Sequence, residues 1–220
     1  MARLIFDLDG TLVHSAPTIA AAANGMLVEI GREPLPLAVI LSYVGHGMRK
    51  LVQDVLAETG GVPEEGVDPH LASYRRIYFA DPLTGTEVYP GVRQALAKLA
   101  AAGHGLAVCT QKPDKPALEI LQGFELMPPI TALTGGDSLP GVLKPDPRLF
   151  DHAAGQLPPG PAVMIGDSET DALTARAAGA PFLLHLGGYN HLPPESLTSA
   201  GVFAHWAELP ALVDAALAQA

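Results

Sequence analysis

The chain lacks features that would place it in several protein classes. It has one cysteine, Cys109, among its 220 residues, so no disulfide can form within it and a disulfide-stapled secreted scaffold is excluded. No apolar run reaches the length needed to cross a bilayer, and no secretory signal precedes the first strand-like run. We therefore expect a cytoplasmic protein with no membrane partner.

Basic residues are also scarce. There are 13 Lys and Arg residues against 23 Asp and Glu residues, which gives a formal net charge of −10. Such a balance disfavours nucleic acid and anionic membranes as partners. An anionic substrate would need local help from a metal ion, a few bases or helix N-termini.

Short apolar runs alternate with helical patterns over most of the chain. The runs predict buried parallel strands at Leu4–Phe6, Leu106–Cys109, Ala162–Ile165 and Phe182–Leu184, with a weaker strand near Ile130–Leu133. Helical patterns lie at Val92–Ala102, Pro116–Leu121, Pro147–Leu157, Asp171–Ala178 and Leu209–Ala218. This alternation predicts an α/β fold, a Rossmann-like doubly wound parallel sheet.

The segment 15–81 has no strand-like run and shows several apolar stripes at helical spacing. It begins with the helix-start signal Ser15-Ala16-Pro17. We interpret it as a helical cap inserted into an α/β core formed by 1–14 and 82–220. Ligands of open α/β sheets bind outside the carboxyl ends of the strands, which is where we expect such a cap.

Polar side chains follow the ends of three predicted strands. Asp7 and Asp9 follow the first, Thr110 follows the second, and Asp167 and Asp171 follow the third. Lys144 lies between turn signals ahead of the third strand. Acids, a hydroxyl and a lysine at one edge of a sheet suit phosphoryl transfer, which depends on charge neutralisation and positioning.

The first of these segments also has an ordinary interpretation. Asp7-Leu8-Asp9-Gly10 could be a solvated strand end with an Asp-Gly turn. Two carboxylates this close repel each other when partly buried, and a divalent cation such as Mg²⁺ would remove that cost. A carboxylate can also act as a nucleophile and form an aspartyl-phosphate.

Four segments together resemble the ordered motifs of the haloacid-dehalogenase-like hydrolases. They are Asp7-Leu8-Asp9-Gly10-Thr11-Leu12-Val13, Thr110, Lys144-Pro145 and Gly166-Asp167-Ser168-Glu169-Thr170-Asp171. The resemblance implies that Asp7 is nucleophile and metal ligand, and that Asp9 is general acid and base with its backbone carbonyl on Mg²⁺. Thr110 and Lys144 would hold the phosphate. Asp167 would ligate the metal, and Asp171 would support its shell.

Within that superfamily the chain looks most like phosphoglycolate phosphatases. The similar segments include Lys112-Pro113, Gly135-Gly136-Asp137, Gly187-Gly188-Tyr189-Asn190 and the loop Val44-Gly45-His46-Gly47. The resemblance implies a small phosphorylated metabolite as substrate. Gln111, His46 and Arg49 are candidate binding residues, although His46 could equally be a solvated residue of a flexible loop. We expect a monomer or homodimer. His14, Gln111 and His46 depart from the residues usual in that group, which are Asp, Asn and Asn.

The leading hypothesis is a Mg²⁺-dependent phosphatase for a small phosphomonoester, with 2-phosphoglycolate as the first candidate. A sugar-phosphate phosphatase or mutase and a pyrophosphatase remain open on the same scaffold. A dehalogenase is disfavoured, because its relatives lack the second acid, Asp9. A regulatory binding protein would have lost a catalytic acid, and none is missing here. Because Lys144 precedes Pro145 in a predicted turn, we expect its replacement to affect folding little.

Overall fold

A computed structural model describes residues 1–219, and its core is a six-stranded sheet. All strand pairs in this sheet are parallel, in the order β5-β4-β1-β6-β7-β8. The strands are β1 (Arg3–Phe6), β4 (Gly105–Cys109), β5 (Ala132–Thr134), β6 (Ala162–Gly166), β7 (Phe182–His185) and β8 (Gly201–Phe203). Two short strands, β2 (Val13–His14) and β3 (Glu87–Val88), form a separate two-stranded sheet.

Helices cover both faces of the six-stranded sheet. Side chains alternate along β1, so that Leu4 and Phe6 join one apolar cluster and Ile5 joins the other. The first cluster includes α5 (Val92–Ala101), α6 (Asp114–Gly123) and α9 (Leu209–Ala218). The second includes α7 (Pro147–Gly155) and α8 (Glu169–Ala177). The predicted doubly wound α/β fold is confirmed.

Residues 15–87 form a second compact unit. Its helices are α1 (Ala16–Glu29), α2 (Leu37–Leu41), α3 (Met48–Glu58) and α4 (Asp68–Ala80). The unit extends past the predicted boundary at residue 81 because the following turn is tied to α1. The Thr18 hydroxyl donates to the Thr84 carbonyl at 2.8 Å and lies 2.9 Å from the Thr86 hydroxyl. Among the described residues, the α/β unit comprises 1–14 and 88–219.

Three details differ from the sequence predictions. The weak strand expected near Ile130–Leu133 begins two residues later, at Ala132. The strand β8 was not predicted, because it is three residues long, starts at Gly201 and exposes Val202. The short helix α2, which Pro36 precedes, was also missed. No helix within residues 1–219 has both the length and the apolar character required to cross a membrane.

Candidate active site

The predicted catalytic acids lie where the chain reverses direction across the sheet. From β1 the sheet is extended first through β4 to β5, and then on the other side through β6 to β8. Loops at such a switch point diverge and leave a crevice at the carboxyl ends of the strands. Asp7 follows β1 and Asp167 follows β6, and these two strands are neighbours in register from Arg3 to Phe6.

Lys144 joins two of the carboxylates. Its Nζ lies 2.9 Å from Oδ1 of Asp7 and donates a hydrogen bond of 2.6 Å to Oδ1 of Asp171. The Lys144 side chain is only 2% exposed and that of Asp171 is fully buried. We expected replacement of Lys144 to affect folding little because the residue lies in a turn. That reason is wrong, because the side chain extends from its turn into the interior.

Burial changes the proton affinities of these groups. Burial, aided by the negative charges of Asp171 and Asp9 and opposed by Lys144, raises the pKa of Asp7 to about 7. Burial and the charges of Asp171 and Asp7 also raise the pKa of Asp167 well above its ordinary range. Burial acts to lower the pKa of Lys144, but Asp171 and Asp7 outweigh it and the pKa is raised. The Lys144 side chain therefore carries a positive charge.

Asp167 is held at both oxygens. The Thr11 hydroxyl donates to Oδ1 at 2.8 Å, and the Tyr189 amide donates to Oδ2 at 2.7 Å. Two glycines allow the surrounding backbone to lie close to the Asp167 side chain. A Cβ on Gly10, whose φ is +86°, would lie 2.3 Å from Oδ2 of Asp167, and one on Gly188 would lie 2.2 Å from its Cβ. The motif glycines therefore leave room for this carboxylate.

Asp171 takes part in capping the N-terminus of α8. Its Oδ2 accepts hydrogen bonds from the Ser168 amide at 3.2 Å and the Ser168 hydroxyl at 2.7 Å, which completes a capping box. Since its Oδ1 accepts from Lys144, both oxygens are engaged. This geometry suits a role in holding Lys144, and the expected role of Asp171 in the metal site stays a prediction.

Asp9 forms an ion pair with a different lysine. Oδ1 of Asp9 lies 2.9 Å from Nζ of Lys112, whose side chain is 2% exposed while that of Asp9 is 16% exposed. The sequence indicated Lys112 as part of a similar segment and as an alternative cation for the site, without a partner. The sequence signal for a buried Lys112 was its position two residues after the threonine at the end of a predicted strand. This signal is weak, because a Lys-Pro pair in a loop is ordinarily solvated.

Thr110 is buried directly after β4, the other neighbour of β1. Its backbone amide donates to the Thr134 carbonyl at 3.0 Å, and its hydroxyl oxygen accepts from the Lys112 amide at 3.2 Å. Gln111 is half-buried, and a Cβ on Gly136 would lie 2.4 Å from its carbonyl oxygen. The loop 110–112 is thus fixed close to a glycine loop.

The predicted binding residues His46 and Arg49 belong to the helical unit. His46 is exposed between Gly45 and Gly47, and Arg49 lies in the first turn of α3, where it forms an exposed ion pair with Asp68. Their contact with a substrate stays a prediction.

The acidic cluster fits a hard divalent cation. Asp7, Asp167 and Asp171 each offer a carboxylate oxygen, and these atoms lie within 4.8 Å of one another. Oδ1 of Asp7 is buried and close to Lys144 Nζ but makes no hydrogen bond of normal geometry. Burial, together with the charges of the neighbouring carboxylates, disfavours the ionised forms of Asp7 and Asp167, and a bound cation would offset this cost. Oxygen ligands of this kind suit Mg²⁺.

Comparison with known proteins identifies the class. The family model described as haloacid dehalogenase-like hydrolase matches residues 1–179. The chain belongs to this family, and the predicted resemblance is confirmed.

Individual relatives agree over nearly the full length. A phosphoglycolate phosphatase of Cereibacter sphaeroides (strain ATCC 17025 / ATH 2.4.3) is 43% identical over 97% of this chain and 98% of its own. One from Rhodospirillum rubrum is 40% identical over 94% and 88% of the two chains. The crystal structure of a predicted phosphoglycolate phosphatase from Haemophilus somnus 129PT has a TM-score of 0.87 at 29% identity, covering 96% of each chain. The prediction of a phosphatase, a phosphoric monoester hydrolase, is confirmed.

Proposed function

We propose that the chain is a Mg²⁺-dependent phosphatase that hydrolyses 2-phosphoglycolate through an aspartyl-phosphate intermediate. The observation that carries the proposal is the ion pair between Asp7 and the buried Lys144, at the end of a central strand and beside Asp167 and Asp171. The choice of substrate is supported by the relatives of 39–44% identity, which are named phosphoglycolate phosphatases.

Asp7 is proposed as the nucleophile. One of its carboxylate oxygens forms a bond to phosphorus as the bond from phosphorus to the leaving oxygen breaks, which gives an acyl phosphate on Asp7. Lys144 favours the ionised form of Asp7, against the effect of burial on its pKa, and offsets the charge of the incoming phosphate. The Thr110 hydroxyl, held by the loop after β4, would donate to a phosphate oxygen.

Asp9 is proposed as the general acid and base. It protonates the leaving alkoxide in the first step, and in the second step it takes a proton from water as the water oxygen attacks phosphorus. The bond between phosphorus and the Asp7 oxygen then breaks, which releases phosphate and restores both carboxyl groups.

Asp7, Asp167 and the backbone carbonyl of Asp9 are the proposed Mg²⁺ ligands. Bound there, the ion would supply positive charge that lets the phosphate and the buried carboxylates share one site. Asp171, engaged by Lys144 and Ser168, would act by holding Lys144. The helical unit 15–87 is proposed as the cap, with His46 and Arg49 as candidate contacts to substrate.

The substitution Asp7→Asn tests the mechanism. It removes the nucleophile with little change in volume, so hydrolysis of an aryl phosphate should be lost, and excess chelator should abolish wild-type turnover. Near-normal turnover of the folded variant, or full wild-type activity in chelator, would exclude the mechanism.

A substrate panel tests the specificity. We expect kcat/KM to be higher for 2-phosphoglycolate than for sugar phosphates, nucleotides or pyrophosphate. A preference of about tenfold corresponds to about 1.4 kcal/mol of transition-state stabilisation. If a hexose phosphate or pyrophosphate is preferred by that factor, the substrate assignment is wrong and the phosphatase assignment stands.

A further inference from the structure

The buried lysine beside Asp9 calls for an explanation. Lys112 is one of two lysines among residues 1–219 with a buried side chain, and the other, Lys144, is accounted for by Asp7 and Asp171. Removing an ammonium from water costs several kcal/mol unless a good ion pair offsets the loss. The Lys112 ammonium lies 2.9 Å from Oδ1 of Asp9. The ion pair with Asp9 offsets part of that cost.

We propose that Lys112 is a positioning residue for Asp9, holding its carboxylate in the direction required for proton transfer in the proposed reaction. This inference rests on the proposed function. Asp9 lies in an isolated β-bridge with Val13, directly before the turn at Gly10. Its side chain remains partly exposed, so packing alone does not fix it. A general acid must come within about 2.6–3.2 Å of the oxygen it protonates. The ion pair at Oδ1 restricts the positions that the Asp9 carboxylate can take.

Lys112 is itself held by the glycine loop 135–138. The Gly136 amide donates to the Lys112 carbonyl at 2.9 Å, and a Cβ on Gly135 would lie 2.7 Å from that carbonyl oxygen. The backbone of Lys112 therefore sits against the loop as only glycine allows. This contact gives a role to Gly135-Gly136-Asp137, a segment that the proposed chemistry leaves unused.

Asp114 joins the same two loops through its side chain. Its Oδ1 accepts from the Gly135 amide at 2.7 Å and from the Ser138 hydroxyl at 2.7 Å. Its own amide donates to Oδ1 of Asp137 at 2.7 Å. The segment from Thr110 to Asp114 is thus anchored at several points. One anchored segment consequently holds both Thr110, the proposed phosphate contact, and Lys112, the partner of Asp9.

The test uses Lys112→Met, which keeps the length of the side chain and removes its charge. The matched control is Lys115→Met, since Lys115 is 70% exposed in α6. For an alkyl phosphomonoester such as 2-phosphoglycolate, we expect kcat to fall about 100-fold, the size of effect that small misplacements cause, with KM within about twofold. Lys112→Arg should recover most of the loss, and the control should match wild type.

The leaving group distinguishes positioning from packing. An aryl phosphate has a leaving group that needs little protonation, so its kcat/KM should fall about tenfold less than that of the alkyl phosphate. If Lys112→Met does not fold, Lys112→Gln replaces it and should show the same difference between the two substrates. A crystal structure of the variant should show the Asp9 side chain displaced, and this readout does not depend on activity.

Several results would overturn the inference. They are wild-type kinetics in folded Lys112→Met, a raised KM with unchanged kcat, an equal loss for both substrates that Lys112→Arg does not recover, or an undisplaced Asp9. The second result would instead make Lys112 a direct contact to substrate. A wild-type chain that hydrolyses no phosphate ester at all would refute the proposed function, which is a different outcome.

Discussion

The ion pairs of Lys144 in the α/β unit are buried, whereas those of Arg49 and Lys50 in the helical unit are open to solvent. In the α/β unit, Lys144 and Asp171 pair with side chains that are 2% and 0% exposed. In the helical unit, Arg49 and Asp68 pair with side chains that are 59% and 78% exposed. Lys50 and Asp54 in α3 form a second pair that is open to solvent. The same chemical groups therefore face very different dielectric surroundings.

The difference indicates which charges are kept for chemistry. A buried pair loses hydration that its mutual attraction only partly replaces, so it is poor evidence of stabilisation as such. An exposed pair contributes about 0–1 kcal/mol and is screened by salt. A fold selected for stability alone has no need of Lys144, whereas phosphoryl transfer does. Four predictions test this contrast, in order of decreasing effect.

The largest effect is expected for Lys144→Met. The change leaves Asp7 and Asp171 buried without their counter-charge, so the unfolding free energy should fall by about 3–5 kcal/mol. The value of kcat should fall about 100-fold or more, as for other electrostatic stabilisers. Urea denaturation and steady-state kinetics give the two numbers. Lys50→Met is the exposed control. If Lys144→Met loses no more stability than this control, the buried and exposed ion pairs do not differ in their effect on stability.

Asp171→Asn should have an intermediate effect. It removes the charge that faces Lys144 and weakens the hydrogen bonds to Ser168, so we expect a loss of about 1–3 kcal/mol in unfolding free energy. In a double-mutant cycle with Lys144→Met, the coupling energy should be about 1–3 kcal/mol. Additive losses would show that the two residues stabilise the fold independently.

His185 provides a pH-dependent test within the α/β unit. Burial lowers the pKa of His185, against the opposing effect of its hydrogen bond to the Gly10 carbonyl at 2.9 Å. Below the ordinary histidine pKa of about 6.5, the unfolded chain takes up a proton that the folded chain does not. Stability from this group is therefore full above that pH and falls as the pH drops below it.

His185→Gln should make the loss of stability between pH 7 and pH 5 smaller than in the wild type. The difference in slope cannot exceed about 1.4 kcal/mol per pH unit, the limit for one proton. Denaturation curves at several pH values measure it, and exposed His191 supplies the control His191→Gln. Parallel pH profiles for wild type and His185→Gln would mean that His185 takes up its proton equally in both states.

The smallest effect is expected for the exposed pair of Arg49 and Asp68. A double-mutant cycle with Arg49→Met and Asp68→Asn should give a coupling energy of about 0–1 kcal/mol, and added salt should reduce it. Thermal or urea unfolding at two salt concentrations is sufficient. A coupling as large as that of Lys144 with Asp171 would show that exposure does not separate the two kinds of pair.

The sequence predicted those parts of the site that follow regular strands. Asp7, Thr110 and Asp167 were assigned to the ends of apolar runs, and parallel strands necessarily bring such ends to one edge of a sheet. The fold class followed from the same alternation. The short edge strand β8 did not, because three residues with one exposed valine carry too little pattern.

Side-chain burial in loops was not predictable in this way. Lys112 and Lys144 each precede a proline, and lysines in turns are ordinarily solvated. Their burial depends on carboxylates far away in the chain and on glycines that let backbones approach closely, as Gly135 does beside Lys112. Local patterns contain no information on such contacts, which is why the partner of Asp9 emerged only from the structure.

The central position of β1 has a consequence for synthesis of the chain. Leu4 pairs with Leu106 on one side and with Val163 on the other. Partners this distant in sequence must wait for long loops to close, which slows folding. On the ribosome, β1 is translated well before β4 and β6, the two strands that complete its surroundings. A nascent chain that stops before Asp167 therefore has the proposed nucleophile, Asp7, but no finished site.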